Sequence, residues 1–374
     1  MWEESNENAK PLCTGLTTGS CATACSVACA ELLLGEQQLN SVSITLPKKR
    51  QGIIQRVDFA LTGHHRIEPN IARFQVVKDA GDDPDVTHGA TVFVELTLLR
   101  EKKGRDIQFT AAEGVGTVTR EGLALAVGEP AINPVPRQMI RDHLQELSEK
   151  YHYDGSFQVA IGVENGEVIA QKTMNPRLGI LGGLSILGTT GIVRPFSCAA
   201  WVSSIYQGID VAKANNVKHI AASTGNSSEM AIKNHYQLSD MALIEMGDFA
   251  GAVLKHLKKA PIEKLSICGG FGKITKLANG HLNLNSRESS IDFEHMAELA
   301  KQQGADQTLQ KAIVAANTSI EVLSLCEKHN IDLAQRICEQ ARLKAKSIVP
   351  NHINVEVWAI NRQGQFIGSA VETH

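Results

Sequence analysis

After residue 195 the sequence repeats one pattern three times: a short apolar run, a glycine-bearing turn, then a segment of helical period. The runs are 217–223 (VKHIAAS), 242–246 (ALIEM) and 264–269 (KLSICG). Their turns are Thr224-Gly225-Asn226, Gly247-Asp248 and Gly269-Gly270-Phe271-Gly272. Strands separated by helices pair in parallel, since antiparallel neighbours need only a tight hairpin. The pattern therefore indicates a wound, mostly parallel α/β sheet for this half. A helix over 198–214 leads into it, and 292–346 reads as mostly helical. Asn226 with Glu229, and Thr318 with Glu321, have the spacing of capping boxes. The C-terminal VEVWAINRQGQFIGSAV reads as a hairpin turning at Arg362–Gly364.

The residues before 195 have another texture. CATACSVACAELLL predicts a helix over 20–34 that Gly35 stops. Cys21, Cys25 and Cys29 share one face of it, as small buried apolar side chains do. Strands are expected at 41–46, 54–61, 72–78 and 91–99. A helix over 136–150 opens on proline. FQVAIGV and EVIAQKT flank Glu164-Asn165-Gly166 as a hairpin would. The chain thus divides into an α+β domain, 1–195, and an α/β domain, 196–374.

Net charge is −3, so no global basic field favours a nucleic acid or an anionic membrane, and with aromatics at 5% of residues few side chains are there for base stacking; no nucleic-acid or membrane partner is expected. No run reaches the length of a membrane span. The start, MWEESNENAK, is the reverse of a secretory leader. Eight cysteines without a C-x-x-C motif fit a reducing, cytoplasmic setting.

Ligands of open α/β sheets bind beyond the carboxyl ends of the strands. Thr224, Gly225, Asn226, Gly247, Asp248, Gly269, Gly270 and Gly272 are therefore the candidate cofactor-binding residues. Neither G-x-G-x-x-G nor a P-loop is present. Asp248 is placed to meet a ribose or a cation, or else to cap its helix. Asp79, Asp82, Asp83 and Asp85, with His88, crowd one turn around Pro84. They form a cation site, a general base, or a loop bonded to its own backbone. Residues 181–191 form an uncharged glycine-rich segment between Arg177 and Arg194; they line a large ligand or act as a hinge. Lys48-Lys49-Arg50 reads as a solvated hairpin tip.

Taken together, several blocks resemble the cobalt-precorrin-5B C1-methyltransferase (CbiD) family. They are Thr14–Ala24, Val77–Ala90, Gly114–Thr119, Val127–Arg137, Asn175–Ile180 running on to Arg194–Ser197, Ser223–Asn226 and Gly247–Phe249. Cys13 and Leu16 depart from the family pattern, where Arg and Tyr are expected. The resemblance implies transfer of a methyl group from S-adenosylmethionine to C1 of cobalt-precorrin-5B, giving cobalt-precorrin-6A in anaerobic cobalamin biosynthesis. It also implies two domains, an α+β one and a Rossmann-like α/β one; the glycine turns of the second are the expected seat of the methyl donor, and the first is expected to contact the corrinoid. Cobalt then arrives only inside the substrate, and the protein needs no metal site. The acetate and propionate arms of the substrate call for cationic partners, for which Arg137, Arg177 and Arg194 are the candidates. Asp79, Asp82, Asp83 and His88 are the candidates to orient the ring or take a proton from it. A homo-oligomer and transient contacts with neighbouring pathway enzymes are compatible with this reading. A nucleotide-dependent enzyme using the same cleft and a non-catalytic corrinoid carrier are the rival functions.

Overall fold

The computed structural model describes residues 11–47 and 55–372. The N-terminal decapeptide and the basic run Lys48-Lys49-Arg50 lie outside the described residues. The chain forms two compact units, Met1–Ser197 and Cys198–His374.

The first unit is built around the helix Thr18–Gly35, whose Thr17 side chain caps the Ser20 amide. Small Ala, Cys, Ser and Thr side chains let it sit inside the fold, and most of its residues are buried. It is long and apolar enough to cross a membrane by length and composition alone, yet 83% of it is buried within the protein. Burial on every side, rather than lipid, accounts for its lack of a polar face. The Cys25 thiol donates to Val92 O and the Cys29 thiol to Ala72 O, which seats the helix on the sheet as the fourfold cysteine spacing predicts. Burial pushes the Cys21 thiol up to about 12, so it stays protonated.

That sheet runs in the order Gly63–Glu68, Ile71–Val77, Thr91–Lys103, Gly155–Val163, Ile107–Ala111. All its pairs are antiparallel except the last. The helix Pro134–Lys150 packs on Thr18–Gly35, and Lys150 reaches Glu31 at 2.9 Å. Here the expected hairpin at Glu164-Asn165-Gly166 is corrected. Asn165 adopts the left-handed turn conformation, φ 54°, but the chain continues as the short helix Gly166–Ala170. Gly155–Val163 already has a neighbour on each side, so EVIAQKT finds no free edge to pair with. The polar edge strand Gly63–Glu68 was not expected from its sequence, because His64, His65 and Arg66 break the apolar alternation.

In the second unit the strand order is Leu243–Glu245, His219–Ser223, Lys264–Gly270, Asn354–Ile360, Phe366–Ala370. The first four are parallel and the last is antiparallel, joined by the expected turn, with Gly364 at φ +79°. From His219–Ser223 the chain steps to one neighbour and then crosses to the other. The order therefore reverses there, the place where open α/β sheets form their crevice. Helices Phe293–Gln302, Gln307–Val314, Ser319–Lys328 and Leu333–Lys346 fill 292–346. Thr318 caps the amide of Glu321, whose carboxylate returns to Asn317 N. The other expected box, Asn226 with Glu229, does not form. Gly225, not Asn226, is the N-cap of Asn226–Tyr236, and the Ser228 hydroxyl bonds Gly225 N and O.

Candidate functional site

In the second unit the three glycine turns lie side by side at the carboxyl edge of the sheet. Ser223 O accepts the amides of Met246 (3.0 Å) and Gly247 (3.2 Å), and Thr224 N donates to Cys268 O at 3.1 Å. The glycines of these turns separate into two kinds. A Cβ on Gly269 would stand 2.7 Å from Thr224 Cγ2, and one on Gly272 would stand 2.9 Å from Ser319 Oγ. Gly247 has φ +55°, a backbone region that disfavours side chains. Packing or conformation thus explains these three. Gly225 and Gly270 differ: each is in extended backbone, and a Cβ on either would meet nothing within 4 Å. The fold does not need glycine at either position. On the strand that leads into the first of these turns, Ser223 Oγ is fully buried and has no hydrogen-bond partner among the described residues. A buried hydroxyl without a partner is costly unless a ligand or water satisfies it.

Asp248 lies on the same edge, but its carboxylate is engaged. Lys273 pairs with Oδ1, and Asn285 Nδ2 donates to Oδ2 at 3.1 Å. It does not cap the following helix Ala250–His256, whose N-cap is Phe249. Lys273 and Asn285 were not singled out in the sequence. Nothing in their local pattern marks them, since the contact joins residues 25 and 37 positions from Asp248.

In the first unit the carboxylate turn is a brace. Asp79 Oδ1 accepts from Gly81 N at 2.8 Å, Asp82 Oδ2 from Cys13 N at 2.6 Å, and Asp83 Oδ1 from Phe196 N at 2.9 Å. His88 Nδ1 accepts from Ala80 N at 3.1 Å. Each oxygen or nitrogen holds a backbone amide, so the loop-bonding alternative accounts for these contacts without a catalytic base. Cys13 takes part through its backbone amide, which any residue at that position could supply.

Arg137 is likewise committed. Its Nε donates to Ile132 O (2.7 Å), Nη2 to Pro130 O (3.1 Å) and Nη1 to Glu129 (3.3 Å). It fastens the 129–132 segment, and this is where the structure places the first of the three arginines expected to meet substrate carboxylates. Arg177 is half-buried in the turn beyond Asn175, and Arg194 is exposed. The glycine-rich segment 181–191 is not a hinge. Leu187 O accepts from Gly19 N and Leu187 N donates to Thr18 Oγ1, while Ser20 Oγ donates to Gly191 O. It is woven around the start of the helix Thr18–Gly35.

The fourth carboxylate of the turn, Asp85, differs from the other three in pairing with a buried lysine at the wall of a cavity. Asp85 pairs with the buried Lys78 at 2.8 Å and accepts from Thr87 N and Oγ1. Burial raises the Asp85 carboxyl, but hydrogen bonds from Lys78 and Thr87 outweigh it and hold the group below the usual carboxylate range. Both side chains line a cavity of about 130 Å³. A lysine ending the apolar run ARFQVVK was the sequence signal that could have pointed there.

The description "CbiD" matches residues 5–195, and "CbiD, C-terminal domain" matches residues 283–371. A protein of Marinomonas sp. (strain MWYL1) called cobalt-precorrin-5B C(1)-methyltransferase is 58% identical, over 100% of this chain and 98% of its own length. One of the same name from Burkholderia cenocepacia (strain HI2424) is 56% identical, over 99% of this chain and 100% of its own length. A crystal structure of a cobalamin biosynthesis protein (cbiD) from Archaeoglobus fulgidus aligns at a TM-score of 0.38 with 26% identity, covering 70% of this chain and 78% of that one.

Proposed function

The chain belongs to the CbiD family, and from that membership we infer that it is a C-methyltransferase acting on cobalt-precorrin-5B. It moves the methyl of S-adenosylmethionine to C1 of the ring, giving cobalt-precorrin-6A in cobalamin biosynthesis. The observation that carries this reading is the match, across essentially the whole chain, to relatives of that name at 56% and 58% identity.

The chemistry asks the protein for little beyond placement. Transfer from a sulfonium is an in-line displacement that needs the acceptor carbon held about 3–3.5 Å from the methyl. C1 is activated by the conjugated ring nitrogen, so a strong base at the carbon is not required. The engagement of Asp79, Asp82, Asp83 and His88 with backbone amides agrees with a reaction driven by orientation and exclusion of water.

The donor is assigned to the carboxyl edge of the parallel sheet. Three features support this: the backbone at Gly225 and Gly270 is open to close approach, Ser223 offers an unsatisfied hydroxyl, and the sheet order reverses at this edge. Asp248, held by Lys273 and Asn285, shapes the edge rather than offering a free carboxylate. Arg177 and Arg194 remain the arginines proposed to meet the substrate's anionic arms.

Incubation of the protein with cobalt-precorrin-5B and methyl-labelled S-adenosylmethionine, followed by mass analysis of the corrinoid, tests the reading. A single labelled methyl at C1 is expected; an unmodified corrinoid would refute it. Thermal shift with S-adenosylhomocysteine against NAD and ATP separates it from a nucleotide-dependent enzyme. Binding of S-adenosylhomocysteine without corrinoid separates it from a carrier.

A further inference from the structure

We propose that the cavity at the start of the helix Thr18–Gly35 is a carboxylate pocket that takes one acetate or propionate arm of the macrocycle, with Lys78 as its cation. The proposal rests on the methyltransferase reading for the identity of the ligand, and on the cavity itself for the chemistry.

Thr17, Thr18, Lys78, Thr87, Asn175 and Ser185 line the cavity, and each is at least nine-tenths buried. Thr17, Thr18, Thr87, Asn175 and Ser185 each have a hydrogen-bond partner within the fold, which holds them as a fixed polar wall around the cavity. Lys78 is the most telling. Its side chain is 1% exposed, and among the described residues its ammonium has one hydrogen-bond partner, Asp85. An ammonium carries three donors. Asp85 is in turn held by Thr87, so the pair fixes the direction in which Lys78 points.

The second source of positive potential is the helix. Thr17 is the N-cap and Thr18 the first residue of Thr18–Gly35, and both face the void. A helix N-terminus favours an anion by its partial positive charge. Lys78 and the helix end together outweigh the single charge of Asp85, which leaves the void suited to one anion.

Size narrows the class. At about 130 Å³ the cavity is well below the ~300–1,000 Å³ of a pocket for a drug-sized ligand. It cannot enclose a macrocycle, but it can take the end of a short arm. Val86 and Leu187, 44% and 50% exposed, supply apolar surface among the lining residues for the methylenes that precede the carboxylate.

The test uses the full chain and two corrinoid probes. These are cobyrinic acid, whose arms are carboxylates, and its fully amidated counterpart. Replacing a buried ion pair by apolar residues of similar volume generally leaves the fold intact, so the variant is the double K78M/D85L, with its thermal unfolding checked against wild type. The wild type should bind the acid more tightly than the amide. The double variant should lose roughly 10- to 100-fold on the acid, the worth of a charge-assisted hydrogen bond. It should lose little on the amide and nothing on S-adenosylhomocysteine. An acid preference that survives in the variant, or its absence in the wild type, overturns the proposal. A loss that falls on S-adenosylhomocysteine instead overturns it too and gives the pocket to the donor's own carboxylate. Labelled methyl transfer by the wild type is read separately, so failure here is distinguishable from failure of the methyltransferase reading.

Discussion

Alanine at Gly225 or Gly270 should leave the protein folded and weaken the methyl donor. At both positions the backbone is extended and a Cβ would meet nothing within 4 Å. The added methyl therefore costs the folded state nothing and restricts the unfolded chain, so stability should be unchanged or rise by up to about 1 kcal/mol. A ligand lying against that backbone loses its close approach, and overpacking of this kind costs about 1–3 kcal/mol, or about 5- to 150-fold in affinity. Gly269→Ala is the internal control. Its Cβ would stand 2.7 Å from Thr224 Cγ2 and 3.2 Å from Ile274 Cδ1, so it should destabilise the second unit by about 1–3 kcal/mol. In a unit of this size each kcal/mol moves the midpoint by roughly 2–4 °C. Calorimetric unfolding measures the first quantity and titration with S-adenosylhomocysteine the second. If both Gly225→Ala and Gly270→Ala bind S-adenosylhomocysteine as the wild type does, the donor does not run along this edge. If Gly269→Ala unfolds at the wild-type temperature, the sorting of the glycines by packing is wrong.

The braces of the carboxylate turn should act on stability alone: Asp82→Asn and Asp83→Asn are expected to lower it by about 1 kcal/mol each while single-turnover methylation keeps its wild-type rate. The single variant Lys78→Met should cost about 3–5 kcal/mol, because it strands the Asp85 charge, whereas K78M/D85L should be near neutral; urea titrations read both. Since the folded Asp85 carboxyl lies below its ordinary value of 3.8, wild-type stability from this pair should be whole above that value and drain away as the pH falls through the lower folded one. K78M/D85L should lack that portion of the acid loss in denaturation curves taken from pH 6 to pH 2. His219 works in the same sense, in a higher pH window. Burial, then the Lys264 charge, pushes it down to about 4 against the opposing pull of Glu356, so the unfolded chain takes the proton first and stability should fall as the pH drops from 6.5 toward 4. His219→Asn should flatten that part of the stability profile, a change of roughly 3 kcal/mol at most.

Much of the second unit was legible in the residues because its determinants are local. Each strand, glycine turn and helix of the wound sheet is written in a stretch of some twenty residues, and periodicity and turn chemistry report such stretches directly. The buried helix Thr18–Gly35 could be read from its small side chains in the same way, and the family blocks carried the function. The tertiary structure decided matters whose partners are distant. EVIAQKT became helix because the preceding strand was already flanked by strands starting at Thr91 and Ile107. The acidic turn became a brace because amides 69 and 113 residues away came to Asp82 and Asp83. The same assembly buried Lys78 beside a helix end and left a void in front of it. Charge and turn propensity belong to a residue and its neighbours. Burial and the identity of a hydrogen-bond partner belong to the packed chain, and they determined which polar groups were left for a ligand.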